Sequence, residues 1–138
     1  MKIFFDTNVI IAAFASHGTC SDLFEHCLSE YTICISQQVL DELYKVLANK
    51  LRFPKALVAK IVTFTRQNTT IISHEPLPET LCRDPDDDNI LAAAISGNVD
   101  CLVSGGKDLL ELKKVKGIRI LKPSDFWKFE KEKKYLKR

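Results

Sequence analysis

No run of 18 or more apolar residues occurs in this sequence, and Met1 leads directly into strand-like residues without a basic segment and apolar signal core. These absences predict a cytoplasmic, soluble protein with no membrane partner. Paired cysteines are also missing. Cys20, Cys27, Cys34, Cys82 and Cys101 form an odd set without CxxC spacing, which favours free buried thiols in a reducing compartment over disulfides or zinc. His17, His26 and His74 are scattered without ligand spacing and read as surface or satisfied side chains rather than general bases. "VSGGKDL" lacks the spacing of a phosphate loop and has the wrong residue after its lysine. There is no internal repeat, and no low-complexity stretch apart from a charged tail.

What is present suits one domain over residues 1–138. Of the 138 residues 46% are hydrophobic, enough for a single sizeable core. The formal charge of +2 hides an asymmetry: residues 113–138 hold eleven basic and three acidic side chains, against nine and fifteen in the rest. A basic C-terminal helix or tail is expected at about 124–138. A solvated helix face explains "KFEKEKKYLKR"; a strip for a polyanion, using Lys128, Lys131, Lys133, Lys134, Lys137 and Arg138, is the sharper alternative.

Short apolar runs of β type alternate with helical stretches. Strands are expected at 2–5 (KIFF), 31–35 (YTICI), 69–72 (TTII), 101–104 (CLVS) and 118–121 (IRIL). Helices are expected over VIIAAFA, CSDLFEHCLSE, QQVLDELYKVLANK, KALVAKIVTFTRQ and NILAAAIS, with Gly97 as the C-cap of the last. This alternation predicts an α/β class protein: a three-layer α/β/α sandwich around a central parallel five-stranded sheet. Sites in such sheets lie beyond the carboxyl ends of the strands, which is where Asp6 and the stretch from Ser104 to Asp108 fall.

Three groups of carboxylates stand out. Asp6 ends the first strand in "IFFDTNVI", a place where a helix cap is the plainer reading. The long connection "SHEPLPETLCRDPDDD" gathers Asp84, Asp86, Asp87 and Asp88, and capping is again an explanation for Asp87 or Asp88. An EF-hand is excluded, because its glycine is absent and Ile95 stands at the terminal glutamate position. On a wheel of about 100° per residue, Glu42 borders the buried face of its helix while Asp41 faces solvent.

Taken together these segments resemble the PIN domain family of metal-dependent nucleases, and especially its bacterial and archaeal toxin (VapC-like) branch of toxin–antitoxin systems. "FFDTNVIIAA" is similar to the family's opening strand, which would make Asp6 a metal ligand and Asn8 its support. "ISQQVLDEL" is similar to the segment that supplies the second acid, here Glu42. "CRDPDDDNILAAAI" places Asp88 at the third ligand position, and "LVSGGKDLLEL" places Ser104 and Asp108 in the fourth segment. Gly106 departs from the family, which commonly has an acid or Asn there. The resemblance implies a catalytic and metal-binding set of Asp6, Glu42, Asp88 and Asp108, supported by Asn8 and Ser104. It also implies a homodimer, an RNA substrate and an antitoxin partner.

The chemistry agrees with the resemblance. Mg2+ and Mn2+ prefer oxygen ligands and keep several waters, so a few carboxylates hold them. The expected activity is therefore Mg2+- or Mn2+-dependent endoribonuclease hydrolysis of RNA phosphodiester bonds. Two other classes remain: a PIN-fold RNA- or partner-binding module without catalysis, for which Gly106 argues, and a receiver-like signalling domain. The receiver needs a phospho-accepting Asp at the end of strand three, where this chain reads "TTIISHE".

Overall fold

The computed structural model describes residues 1–136. Its six strands are β1 (Lys2–Phe5), β2 (Thr32–Ser36), β3 (Thr70–Ile72), β4 (Cys101–Val103), β5 (Lys114–Val115) and β6 (Ile118–Leu121), in the spatial order β3-β2-β1-β4-β6-β5. The seven α-helices are α1 (Thr7–Ala15), α2 (Thr19–Glu30), α3 (Gln37–Lys45), α4 (Lys55–Asn68), α5 (Pro85–Ser96), α6 (Lys107–Leu112) and α7 (Phe126–Leu136). The five expected strands are all present and mutually parallel. Among the described residues no helix is long and apolar enough to cross a membrane.

The sixth strand corrects the expected count. β5 pairs antiparallel with β6, closing a hairpin whose turn residues Lys116 and Gly117 both have positive φ (49° and 84°). That geometry fits a two-residue turn matched to the right-handed twist of the strands. "KKVKG" has too few apolar residues to show a strand period, so only the Gly117 turn ahead of "IRIL" marked the hairpin.

Neighbouring residues on a strand point to opposite faces, so burial of consecutive residues shows that helices cover both sides of the sheet. Ile3, Phe4 and Phe5 of β1 are all fully buried, as are Cys101, Leu102 and Val103 of β4. In α5 five consecutive residues, Ile90 to Ala94, are buried, and three of these are alanines whose small side chains allow close approach. α5 begins at Pro85, four residues ahead of the expected "NILAAAIS". Asp84 supplies the N-cap, its carboxylate accepting the Asp86 N–H at 2.9 Å, and Pro85 occupies the first turn, where no N–H is missed. At the far end Gly97 is the C-cap with ordinary helical φ, and the left-handed conformation falls on Asn98 (φ 51°). Cys27, Cys34, Cys82 and Cys101 are buried free thiols and Cys20 is half-buried.

α7 is anchored rather than merely solvated. Phe126 and Phe129 enter the core, and the Glu130 carboxylate beside them accepts hydrogen bonds from the Tyr31 hydroxyl and pairs with His26 Nε2. Lys134 lies 4.0 Å from the same carboxylate, and Lys133 sits over the Phe129 ring. Two of the tail lysines thus have intramolecular partners; Lys137 and Arg138 lie outside the described residues. Burial alone would raise the Glu130 carboxyl, yet the hydrogen bonds from His26 and Tyr31 hold it below its ordinary value. A carboxyl lowered in the folded state stabilises above its unfolded pKa, and that stabilisation is lost as pH falls through the folded value. Glu130→Gln should therefore cost about 1–3 kcal/mol in urea melts at neutral pH, with the difference from wild type shrinking in acid below about pH 4. An equal loss at all pH values would show that the charge contributes nothing.

Candidate active site at the strand ends

The register of the central strands fixes the site. Phe5 pairs with Val103, and Val103 pairs with Leu121, so Asp6, Ser104 and Lys122 follow the ends of β1, β4 and β6 at one level. The ladder continues past the strands: the Asp6 N–H donates to the Val103 carbonyl at 3.0 Å, and the Ser104 N–H to the Leu121 carbonyl at 2.9 Å.

Asp6 has two roles. It is the N-cap of α1, with Oδ1 accepting the Thr7 N–H at 2.7 Å, and its Oδ2 accepts the Ser104 hydroxyl at 2.7 Å. The Gly106 N–H in turn donates to Ser104 Oγ at 2.9 Å, which fixes the hydroxyl's direction. The cap anticipated from sequence and the site carboxylate are the same group. Only 9% of Asp6 is exposed, and burial raises its carboxyl despite the Ser104 and Thr7 hydrogen bonds; the Glu42 charge adds to the rise.

Glu42 is half-buried on α3, while Asp41 is exposed, as the helical wheel requires. Ser36 caps this helix, accepting the Val39 N–H at 3.3 Å. Gln38 donates at 3.2 Å to Glu42 Oε1 and lies 3.5 Å from the Asp86 carbonyl, tying α3 to the start of α5.

The acidic turn divides its work among its members. Asp88 Oδ1 accepts the N–H groups of Leu81 at 3.0 Å and Cys82 at 2.9 Å, so one of its oxygens staples the long connection onto α5. Asp87 is half-buried and is the member of the turn that is coupled electrostatically to Asp6 and Asp108. Its carboxyl is pushed up to about 6 by burial, then by Asp6, Asp84, Asp108 and Asp86. Sequence reasoning treated Asp87 only as a cap; in a run of three aspartates on one helical turn, no pattern says which faces the sheet. Asp108 is in the first turn of α6, 3.7 Å from the exposed guanidinium of Arg83. Asn8 is exposed, and both hydrogen bonds to the Asp6 carboxylate come from other residues. The buried Cys82 thiol is raised to about 11 by burial and by Asp88, which keeps it protonated and unfit as a nucleophile.

The donor set is made of oxygens, with raised carboxyls on Asp6 and Asp87 that a cation would relieve. Thr7 Oγ1, beside Asp6, is buried without a hydrogen-bond partner among the described residues. Among those residues no three acidic, His or Cys side chains draw close enough to enclose an ion. The described residues therefore do not form a closed cage, and their oxygen donors are of the type that hard divalent cations prefer.

A sequence model of the PIN domain matches residues 2–108. No curated protein is matched by the sequence. Among solved structures, the fold is similar to a chain of VapBC2 from Rickettsia felis bound to a DNA fragment from their promoter, with a TM-score of 0.59 and 19% identity, covering 88% of this chain and 98% of that one.

Asp87 offers a direct check on the electrostatics. A carboxyl raised in the folded state makes the native protein bind more protons than the unfolded chain between about pH 4 and pH 6, so stability falls as pH rises through that window. In EDTA, Asp87→Asn should raise the melting temperature at pH 8 and leave it unchanged near pH 4. Added Mn2+ should stabilise wild type more than the variant. A variant no more stable than wild type at pH 8 would remove Asp87 from the repulsive cluster.

Proposed function

Because this chain belongs to the PIN domain family, we propose that it is a metal-dependent endoribonuclease and the toxin of a toxin–antitoxin pair. The observation that carries the reading is the Asp6 carboxylate, buried at the end of β1, fixed by Ser104 and the Thr7 N–H, and surrounded by the charges of Glu42 and Asp87. Asp6, Glu42, Asp88 and Asp108, with Asp87, are the acids from which one or two would ligate a hydrated Mg2+ or Mn2+ directly, the others acting through its water or through their charge. Bound there, such a cation supplies Lewis acidity towards a phosphodiester and towards the water that attacks it.

The protein's own part is positioning. Ser104 and the Thr7 N–H leave Asp6 one orientation, so its remaining lone pairs face a fixed point. Gln38 does the same for Glu42, and Asp88 ties the long connection to the start of α5 with the oxygen that accepts the Leu81 and Cys82 N–H groups. A pocket of carboxylates repels a phosphate until a cation offsets its charge, so RNA should engage productively only after the metal.

Likeness to the Rickettsia felis VapBC2 structure supports an antitoxin partner. Leu57 and Phe64 of α4, each about two-fifths exposed, give such a partner or a homodimer an apolar surface. A second reading, a PIN module without catalysis, draws on Gly106 and on the open spacing of the acids.

Metal titrations of RNA cleavage separate the two. Wild type should cleave RNA in Mg2+ or Mn2+ and stop in EDTA, and Asp6→Asn should slow cleavage by roughly 100-fold or more. Gly106 has φ −75°, open to any residue, and an added Cβ would lie 3.3 Å from Ser104 Oγ, so an acid can be introduced with a small shift of that hydroxyl. Gly106→Asp should lower the metal concentration for half-maximal cleavage, and Asp108→Asn should raise it. Folded wild type that cuts no RNA at any metal concentration would leave the non-catalytic module.

A further inference from the structure

Residues beyond 108 lie outside the match to the family, yet they complete the sheet and carry the excess of positive charge. Their placement relative to the acidic pocket is set by the same register that builds it. Asp6, Ser104 and Lys122 stand side by side past the ends of β1, β4 and β6. Neighbouring strands are about 4.8 Å apart, so the Lys122 backbone lies about 10 Å from that of Asp6. Adjacent nucleotides of one strand can span that distance.

Two grooves open at this edge. One, of about 250 Å³, lies between β6 and α7 and includes Arg119, Lys128 and Glu132 in its lining. The other, of about 400 Å³, includes Lys113, Arg119, Lys122 and Asp125. They share Arg119, Leu121 and Asp125, and so run into one another. Within them Arg119 is oriented by the face of Phe129, 5.7 Å away, and by Glu132 at 3.8 Å. Lys113 is held at φ 60° between α6 and β5, with its carbonyl accepting the Ile120 N–H at 2.9 Å. That conformation ends α6 at its C-cap and turns the chain into β5, which fixes the backbone from which the Lys113 side chain projects. Glu132 is matched by Arg119, which leaves three lysines against the single carboxylate of Asp125.

We propose that this groove, through Lys113, Lys122 and Lys128, holds the sugar–phosphate backbone of single-stranded RNA where it leaves the acidic site. Charge complementarity selects a polyanion, and Lys122, level with Asp6 across β1, β4 and β6, is the residue through which the groove approaches the acidic site. The assignment deepens the ribonuclease reading and rests on it for the identity of the polyanion. Binding and cleavage are nevertheless measured separately, so each can fail alone.

The test is fluorescence anisotropy of a short labelled single-stranded RNA with the full chain, in EDTA so that no cleavage occurs, over a series of salt concentrations. Each lost phosphate contact should reduce the slope of log affinity against log salt by about 0.7. The combined variant Lys113→Gln, Lys122→Gln, Lys128→Gln should therefore flatten the slope by about 2 and weaken binding on the order of 100-fold at about 0.1 M salt. Asp125→Asn should tighten binding several-fold, a gain that misfolding cannot imitate, and Lys60→Gln on α4 should change nothing. A folded triple variant with wild-type affinity and slope would overturn the proposal, as would wild type that binds no RNA. Loss of affinity for polyglutamate but not for RNA would also overturn it, in favour of an acidic polypeptide. Intact groove-dependent binding without any cleavage in Mg2+ would instead sink the nuclease reading and leave this one standing.

Discussion

The parallel pairing of β1 with β4 is the constraint on which the site depends. Ile3, Phe4 and Phe5 lie opposite Cys101, Leu102 and Val103, all buried to the last atom, so a slip of one residue would turn each of these side chains to the other face of the sheet. The same register puts Ser104 beside Asp6. Apolar packing in the core thus sets the geometry of a polar pair at its rim, and the 2.7 Å hydrogen bond between them is its result.

Burying Asp6 has an energetic cost that the local structure meets in part. The carboxylate accepts two hydrogen bonds, from Thr7 N–H and Ser104, both worth more in a water-poor setting than at the surface. Its carboxyl nevertheless stays raised, because Glu42 adds like charge to the burial. Asp87 carries the same tension more visibly, at about 6. In both, ionisation costs the bare fold stability, even though the Asp6 side chain caps α1. Raised carboxyls of this kind, gathered at the strand ends of a well-packed protein, are what the metal-site proposal rests on.

Much of this was legible from residue order alone, because buried parallel strands are written as short continuous apolar runs. KIFF and IRIL were bounded to the residue, and Asp6 was placed at a strand end. β5 was hidden because a two-residue edge strand has no period to detect. The start of α5 was placed late because its first turn is made of Pro85 and three aspartates, where propensity says little and the Asp84 cap decides. The division of labour between Asp87 and Asp88 was out of reach for a related reason. Which of two adjacent carboxylates is taken up by the long connection depends on where that connection leaves the Leu81 and Cys82 N–H groups, and that is a tertiary fact.

The small hairpin has one more consequence. A parallel sheet ends in a row of unpaired N–H and C=O groups, a template on which a second chain can add as a strand. Here β5 covers only part of the β6 edge, yet it reverses the chain direction there, twists it through two positive-φ residues and sets Lys114 and Lys116 along the rim. An incoming strand would meet a ladder two residues long and a row of like charges. The hairpin thus makes this edge of the sheet, though not the β3 edge, a poor template for strand addition while leaving its cationic border open to water.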